Sequence, residues 1–401
     1  MSRTTLIRIS AERLREPEVQ AENIHVTRRF YRDLDGKPAR LFYYVNIERF
    51  EAFDTELYLD AEGVEQFDPE TGKILPVYFE KTENGIRVPH RFEPAGSLLL
   101  IARDYKTAPA APVVHPERIL AFQPEFRIAA CSENLLTLDF CGYEVDGRRI
   151  SDREYVLSIQ DSLLKLERDA DTVLIFEFTT GSTYPLGKPL TLLLEHPERY
   201  DIRVNGIPVS NRPDGFFADK AFERIAIGDA VVAGRNEIRL HTTFHQTPET
   251  YAGIAAARKF ESEKNKLSFD SEIEAVYLCG EFGVFTPAPF RDLDRNALRC
   301  AGPFILEARP EQVDITRIER SGFPFFAGAV TLTQQIGIAD GDEIKPCRLA
   351  FRHLFAHIAK IRLNGTEIGT LTRPDYSLDI PAGVLKAGSN TLEITLINSL
   401  R

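Results

Sequence analysis

The sequence predicts an all-β protein, in which a small β-domain is followed by two jelly-roll β-sandwiches with a few short helices. Three observations predict this fold. Short runs rich in β-branched and aromatic residues alternate with polar residues along most of the chain. Turns that contain Pro, Gly or Asn separate these runs. A unit of strand, Asn-Gly turn and strand also occurs twice, as duplicated β-sandwiches require.

The small β-domain is predicted at residues 23–108, after a weakly structured start at 1–22. Residues 42–45 (FYYV) form an aromatic and β-branched run that is typical of a strand. Residues 68–72 (DPETG) predict a turn, because Pro fixes φ and Gly permits a positive φ. The Pro- and Ala-rich segment 106–116 is typical of a linker.

The first sandwich is predicted at residues 113–300. Its clearest strand candidates are 173–178 (VLIFEF) and 190–195 (LTLLLE). Two helical segments are also expected in this range. Residues 152–168 have apolar side chains at helical spacing, and residues 246–268 are rich in Ala and charged residues. The second sandwich is predicted at residues 301–401.

An internal repeat is the strongest organisational signal in the chain. Each copy has an alternating strand that ends in Asn-Gly, and later a Gly-x-Asn turn before another alternating strand. These turns lie at 205–206 and 234–236 in the first copy and at 364–365 and 388–390 in the second. The two Asn-Gly pairs are 159 residues apart and the two Gly-x-Asn turns 154 apart, so the copies differ by a short insertion. Asn-Gly predicts type I′ hairpins.

Composition excludes several classes of function. The formal net charge of −11 disfavours nucleic-acid binding, and no apolar stretch approaches the ~20 residues that cross a bilayer. The first ten residues do not resemble a signal peptide, so we expect a cytoplasmic protein, with export still open if the chain is part of a longer protein. The five cysteines include no CxxC pair, which favours reduced thiols. We expect no cofactor, although a structural calcium ion remains an open alternative.

Several motifs resemble a known family. They are GFPFFAG at 322–328, LNG at 363–365, PDYSLDI at 374–380, GSN at 388–390 and NSLR at 398–401. Together they resemble the galactose-binding-like sandwich in the C-terminal region of α-L-rhamnosidase-like glycoside hydrolases. Residues 67–104 resemble the small β-domain that follows the catalytic barrel in that family, and residues 274–284 resemble the strand that links its two sandwiches.

The resemblance implies a carbohydrate-related role without assigning catalysis. In that family the catalytic carboxylates lie in a (β/α)₈ barrel of ~250 residues, and this sequence shows no βαβ repetition. We therefore assign no catalytic residue. The chain is predicted to be a non-catalytic accessory region that supports a glycan-processing site. Two alternatives remain: the C-terminal part of a split or truncated enzyme that needs a barrel partner, and a purely structural interaction module.

Candidate carbohydrate-binding residues are Arg373, Asp375, Tyr376 and Phe325. The first three lie where a loop enters a strand at the edge of a sandwich, a place where sugar hydroxyls could meet polar side chains. Phe325 belongs to an aromatic run that could line a sugar cleft or fill the sandwich core. The chain has no Trp, the side chain best suited to stacking on a pyranose, so a strong lectin-type site is not expected. The expected partners are a glycan or oligosaccharide and a catalytic-barrel protein.

Two histidine pairs have the i, i+4 spacing found in some zinc sites. They are His241 with His245, and His353 with His357. On a strand this spacing separates the two side chains by ~13 Å, too far to share one ion. Because neither pair lies in a convincing helix, we predict no metal site at either.

Overall fold

The structure is a computed structural model, and it confirms the all-β fold class. It describes residues 23–32, 36, 38–69, 71–111, 122–294, 297–338, 347–351, 354, 356–373 and 376–399. The predicted start at 1–22 and most of the predicted linker lie outside these residues. The chain divides into two compact units. The first comprises residues 1–121, 343–352 and 371–385, and the second comprises 122–342, 353–370 and 386–401.

The first unit contains two antiparallel sheets formed by residues 24–103. Their strands are β1 (Ile24–Arg32), β2 (Pro38–Asn46), β3 (Phe53–Leu59), β4 (Gly63–Asp68), β5 (Lys73–Pro76), β6 (Glu80–Thr82), β7 (Gly85–Phe92) and β8 (Ser97–Arg103). One sheet has the order β1-β2-β8-β4-β5, and the other has the order β3-β7-β6. Alternate side chains of both sheets, including Tyr44, Leu57, Val88 and Leu100, form one hydrophobic core.

The second unit begins with the elements up to residue 285. They are β9 (Glu125–Cys131), β10 (Asn134–Leu138), β11 (Phe140–Val145), β12 (Arg148–Tyr155), α1 (Val156–Leu164), β13 (Ala170–Thr180), β14 (Leu190–Leu194), β15 (Asp201–Val204), β16 (Ile207–Val209), β17 (Phe216–Phe217), β18 (Asp219–Ala226), β19 (Gly234–Phe244), α2 (Pro248–Ala257), α3 (Glu261–Lys264), β20 (Val276–Gly280) and β21 (Gly283–Phe285).

The remaining strands extend to residue 398. They are β22 (Arg291–Asp292), β23 (Leu298–Arg299), β24 (Ile305–Glu307), β25 (Gln312–Asp314), β26 (Gly328–Ile338), β27 (Cys347–Phe351), β28 (Ile358–Leu363), β29 (Thr366–Leu371), β30 (Tyr376–Ile380) and β31 (Gly388–Asn398). Strands β27 and β30 pair with each other and belong to the first unit.

Two sheets of the second unit form a β-sandwich. One has the order β10-β20-β14-β18-β17, and the other has the order β12-β11-β13-β19-β15-β16, with β24 and β21 attached beside β13. Leu192 and Leu278 of the first sheet share a core with Phe176 and Ile238 of the second. Burial of such side chains contributes ~2 kcal/mol each, so this shared core stabilises the sandwich.

A third sheet has six strands in the order β25-β9-β26-β31-β28-β29. Strands β26 and β31 pair over eleven residues, from Gly328 opposite Asn398 to Ile338 opposite Gly388. The sheet also includes β9, which the sequence analysis placed in the first sandwich. Strand pairing therefore joins residues 125–131 to a sheet whose other strands lie beyond residue 311.

The first Asn-Gly hairpin joins β15 to β16. Asn205 and Gly206 have φ values of 51° and 79°, as the predicted type I′ turn requires. The Asn205 side-chain amide donates to Asn236 Oδ1 at 2.8 Å, and its Oδ1 accepts from the Glu237 amide at 3.0 Å. Asn236 is 1% exposed, and its side chain forms three hydrogen bonds to the backbone of Val232 and Gly234. We call this pair of side chains an Asn clamp.

The second hairpin joins β28 to β29 and has the same construction. Asn364 and Gly365 again have φ values of 51° and 79°. The Asn364 side-chain amide donates to Asn390 Oδ1 at 2.7 Å, and its Oδ1 accepts from the Thr391 amide at 2.9 Å. Asn390 is 0% exposed and bonds to the backbone of Lys386 and Gly388. The sequence repeat is therefore also a repeat of one hydrogen-bonded unit.

The structure contains helices in both predicted helical segments, but in the segment 152–168 the helix begins later than predicted. Residues 246–268 contain α2 and α3, as predicted. Thr247 caps α2 by accepting from the Thr250 amide, and Pro248 occupies the first turn. The prediction for 152–168 is wrong at its start, because residues 152–155 belong to β12, which pairs with β11. Within the described residues, no helix is long and apolar enough to cross a membrane.

Candidate functional site

The four residues predicted to bind carbohydrate fall in different parts of the chain. Asp375 lies outside the described residues. Arg373 and Tyr376 belong to the first unit, where Tyr376 begins β30 opposite Phe351, and burial raises the pKa of the Tyr376 hydroxyl. Phe325 belongs to the second unit. The structure describes no single site that contains all four, so their assignment stays a prediction.

Phe325 lies in the segment that leads into β26. Its ring meets the Phe304 ring edge to face, with the ring centroids 4.9 Å apart. The segment is held by Asn134, a fully buried residue whose side-chain amide donates to the carbonyls of Phe282 at 3.0 Å and Gly322 at 2.8 Å. Phe325 is only half-buried and packs against the sandwich core, so it serves both uses that the sequence left open: core packing and the lining of a cavity.

A cleft of about 920 Å³ lies beside Phe325 in the second unit. Leu174 and Phe176 of β13 belong to the sandwich core. Strand alternation therefore turns Ile175 and Glu177 to the opposite face, which is the face along which the cleft runs. Its volume is within the range of small-molecule sites. Five phenylalanines line it: Phe140, Phe178, Phe290, Phe304 and Phe325.

Charged side chains of both signs surround these rings. Arg153 lies over Phe140, with its guanidinium carbon 4.7 Å from the ring centroid. Arg235 donates to Glu177, and both side chains are exposed. Asp152 also lines the cleft. The cleft therefore combines apolar ring faces with hydrogen-bond donors and acceptors.

Glu319 is the most unusual group in the cleft lining. Its side chain is 3% exposed, both carboxylate oxygens are closed to solvent, and among the described residues neither accepts a hydrogen bond of normal geometry. Arg320 Nε and Arg317 Nη1 lie 3.5 Å and 3.7 Å from Oε1, too far for normal hydrogen bonds. Both arginines instead donate to Asp292. Burial raises the pKa of Glu319, and the two arginines partly oppose this shift.

Sequence reasoning did not single out Glu319. The available signal was a carboxylate that lies shortly before the family-like motif at 322–328 and its aromatic run. Burial of that carboxylate depends on chain segments distant in sequence, which a local pattern does not reveal.

The first histidine pair does not form a metal site in the described residues. His241 lies on β19, and its Nε2 is 2.6 Å from Asp171 Oδ1. His245 follows the strand, with Nδ1 2.6 Å from Asp169 Oδ1. His353 lies outside the described residues. Across the parts of the chain that are described, no group of three His, Cys, Asp or Glu side chains is close enough to hold a metal ion.

Comparison with known proteins gives limited information. No family model and no curated protein matches the sequence. Among solved structures, a rhamnosidase from Novosphingobium sp. PP1Y is 19% identical, with a TM-score of 0.22, over 66% of this chain and 24% of that protein. A β-D-mannosidase from Dictyoglomus thermophilum is 13% identical, with a TM-score of 0.24, over 66% of this chain and 31% of that protein. The chain spans less than a third of either neighbour.

Proposed function

We propose that this chain is a non-catalytic, carbohydrate-binding accessory region of a glycoside-hydrolase-like protein. The observation that supports this proposal is the cleft, in which phenylalanine rings lie among charged side chains of both signs. A pyranose has an apolar C–H face and a rim of hydroxyl groups. An aromatic face with nearby donors and acceptors is therefore complementary to it.

Phe140 is the ring best placed to contact a ligand. It is 44% exposed at the cleft, and Arg153 and Tyr155 contact it from the side of β12. These contacts hold the ring in one orientation, so little side-chain entropy would be lost when a sugar stacks on it. The charged residues that line the cleft are Arg153 and Arg235 with the carboxylates of Asp139, Asp152, Glu177 and Glu319, and this excess of carboxylates disfavours an anionic ligand.

Binding assays test the proposal directly. Isothermal titration of the purified chain against methyl α-L-rhamnopyranoside, methyl β-D-mannopyranoside and a panel of neutral oligosaccharides should detect binding to at least one of them. Phe140→Ala should weaken that binding about tenfold, which corresponds to ~1.4 kcal/mol, because the stacking surface is lost. Phe216→Ala is the matched control, since Phe216 is 53% exposed and does not line the cleft. Absence of binding to every sugar, or equal loss in both variants, would contradict the proposal.

A split enzyme is the second candidate. The motifs at 322–328 and 374–380 resemble a region that accompanies a catalytic barrel, which favours a partner domain carried by another polypeptide or by a longer form of this one. Under our proposal, the purified chain does not hydrolyse nitrophenyl rhamnosides or mannosides. Co-expression with a barrel protein that yields a stable and active complex would favour the split enzyme instead. A chain that binds no sugar but retains a protein partner would favour the structural module.

A further inference from the structure

We propose that the main-chain N–H and C=O of Glu177 form a polar subsite in the cleft, at which they hydrogen-bond two neighbouring hydroxyl groups of a neutral sugar. This inference rests on the proposed function and names the polar contacts that would orient the sugar. It starts from a gap in the sheet beside β13, where Glu177 lies between two strand ladders.

One edge of β13 is only partly covered by neighbouring strands. Along the other edge, β13 pairs with β19 over all eleven of its residues. On the cleft side, β11 pairs with residues 172–175 and β24 pairs with residues 179–180. Among the described residues, no strand therefore pairs with 176–178 on this side of β13.

The main chain of Glu177 points into this gap. Opposite residues of an antiparallel pair alternate between hydrogen-bonded and non-hydrogen-bonded pairs. Glu177 lies opposite Glu237 of β19. The Glu237 N–H donates to Asn205 Oδ1 at 3.0 Å, and its C=O accepts from the Asn205 N–H at 2.9 Å, both on the side away from β13. Glu177 and Glu237 are therefore a non-hydrogen-bonded pair, and the N–H and C=O of Glu177 face away from β19.

The cleft reaches this edge of β13. Its lining includes Glu177 from the outer face of the strand and also Phe178, whose side chain belongs to the sandwich core. Side chains from opposite faces of one strand can line the same cleft where the sheet is open beside that strand. In the part of the chain that the structure describes, Glu177 forms no main-chain hydrogen bond outside the strand ladders. A donor and an acceptor without a strand partner can be satisfied by a ligand.

The length of the gap favours a small ligand over a peptide strand. Phe176 and Phe178 direct their main-chain groups to β19, so Glu177 alone among residues 176–178 faces the gap. A peptide strand usually spans three residues or more and would find a single pairing position here. Two neighbouring hydroxyl groups fit this position, since one can accept from the N–H and the other can donate to the C=O.

Phe140 adds an apolar contact beside the gap. Gly142 pairs with Ile175, so extending that register by two residues would place Phe140 opposite Glu177. The exposed Phe140 ring is therefore on the same side of β13 as the gap. A sugar stacked on this ring would turn its hydroxyl groups towards the Glu177 main chain. An apolar surface with a few main-chain donors and acceptors is typical of small-molecule sites.

Amide hydrogen exchange of the purified chain, followed residue by residue by NMR, tests both the gap and the contact. Without ligand, the Glu177 amide should exchange at least about a hundredfold faster than the amides of Phe176 and Phe178, which bond to β19 and serve as internal controls. A methyl glycoside or oligosaccharide of the panel, added at about 100 times its Kd, should slow exchange at Glu177 about a hundredfold. The two control amides should not change.

Deoxy analogues of the sugar that binds identify the hydroxyl groups in contact with Glu177. Loss of either contacting hydroxyl should weaken binding about three- to tenfold, as expected for one neutral hydrogen bond. The analogue that lacks the hydroxyl accepting from the N–H should also fail to slow exchange at Glu177 when it saturates the chain. Analogues changed at other positions should still slow it.

The outcomes separate this inference from the proposed function. If no sugar binds, the proposed function fails and this inference fails with it. If a sugar binds and the Glu177 amide keeps its fast exchange, the proposed function stands and the Glu177 main chain is not a contact. If the Glu177 amide of the free chain is as protected as its neighbours, the gap is closed and the inference is overturned. Protection by an extended peptide but by no sugar would assign the gap to strand pairing, which also overturns it.

Discussion

The two copies of the repeat have the same Asn clamp in different surroundings. In both copies the hairpin Asn binds the Oδ1 of a buried Asn from the Gly-x-Asn turn, at 2.8 Å in the first copy and 2.7 Å in the second. The first copy lies in the sandwich beside the cleft. The second lies in the six-stranded sheet, on β28 and β31.

Most of the cleft residues lie outside the repeated unit, and Arg235, the middle residue of the first Gly-x-Asn turn, is an exception. Phe140 and Arg153 belong to β11 and β12, while Glu319 and Phe325 belong to the segment before β26. None of the four clamp residues lines the cleft. The duplicated hydrogen bonds therefore hold the same turn in each copy, whereas most residues on which the proposed function depends lie in segments outside the repeat.

The strongest test of this comparison is to remove the buried Asn of each clamp. Asn236→Ala and Asn390→Ala should each lower the free energy of unfolding by about 3 kcal/mol, because several buried backbone groups lose their partners. Urea denaturation would measure the loss. Similar values would confirm that the clamps are energetically equivalent. A loss below ~1 kcal/mol in one copy would show that only the other copy depends on its clamp.

A finer test changes the hairpin Asn of each clamp. Asn205→Gly and Asn364→Gly keep a residue that tolerates the φ of 51° but remove the side-chain hydrogen bonds. Each should cost about 1–2 kcal/mol in the same denaturation assay. Asn205→Ala and Asn364→Ala should cost about 1 kcal/mol more, since Ala is strained at positive φ. An equal cost for Gly and Ala would mean that the turn conformation contributes nothing measurable.

The smallest expected effect on stability concerns the ion pair between Glu133 and Arg224. Arg224 on β18 donates to both oxygens of Glu133 at 2.8 Å and holds the pKa of Glu133 below its usual value of 4.5. The ionised form of Glu133 is the one that pairs with Arg224. Its contribution to folding stability is therefore complete above the usual pKa of 4.5 and is lost as the pH falls through the lowered pKa. Both side chains are partly exposed, so solvent screening limits the effect to ~0.5 kcal/mol.

The measurement compares wild type with Glu133→Gln by urea denaturation at pH 7 and pH 3. The difference in stability should be present at pH 7 and smaller at pH 3, because Glu133 begins to be protonated as the pH approaches its lowered pKa. An equal difference at both values would show that the charge of Glu133 does not contribute.

The sequence predicted local features best. Both Asn-Gly turns were foreseen because two residues with positive φ are needed and Asn-Gly supplies them. The segment 152–168 was harder to predict. Its helical spacing begins at Val156, while Asp152 to Tyr155 continue a strand because β11 offers a partner. That choice depends on a tertiary contact, which local periodicity does not encode.

The cleft could not be predicted in the same way. Its residues come from positions between 136 and 325, and the sheet order that brings them together depends on pairings distant in sequence, such as β13 with β24. Of the predicted carbohydrate-binding residues that the structure describes, Phe325 alone lines it. Glu319 stands out because its carboxylate is buried, and that burial results from packing against segments that are distant in sequence.

The positions of the Asn clamps along the chain also limit mispairing between the two copies during folding. Because the two clamps use the same chemistry, the hairpin Asn of one copy could in principle bind the buried Asn of the other in a kinetic trap. Correct pairing in the first copy closes a segment of 31 residues, whereas pairing Asn205 with Asn390 would close 185. Loop-closure entropy favours the shorter segment by about 1.5 kcal/mol. Proximity along the chain thus directs each hairpin to its own partner.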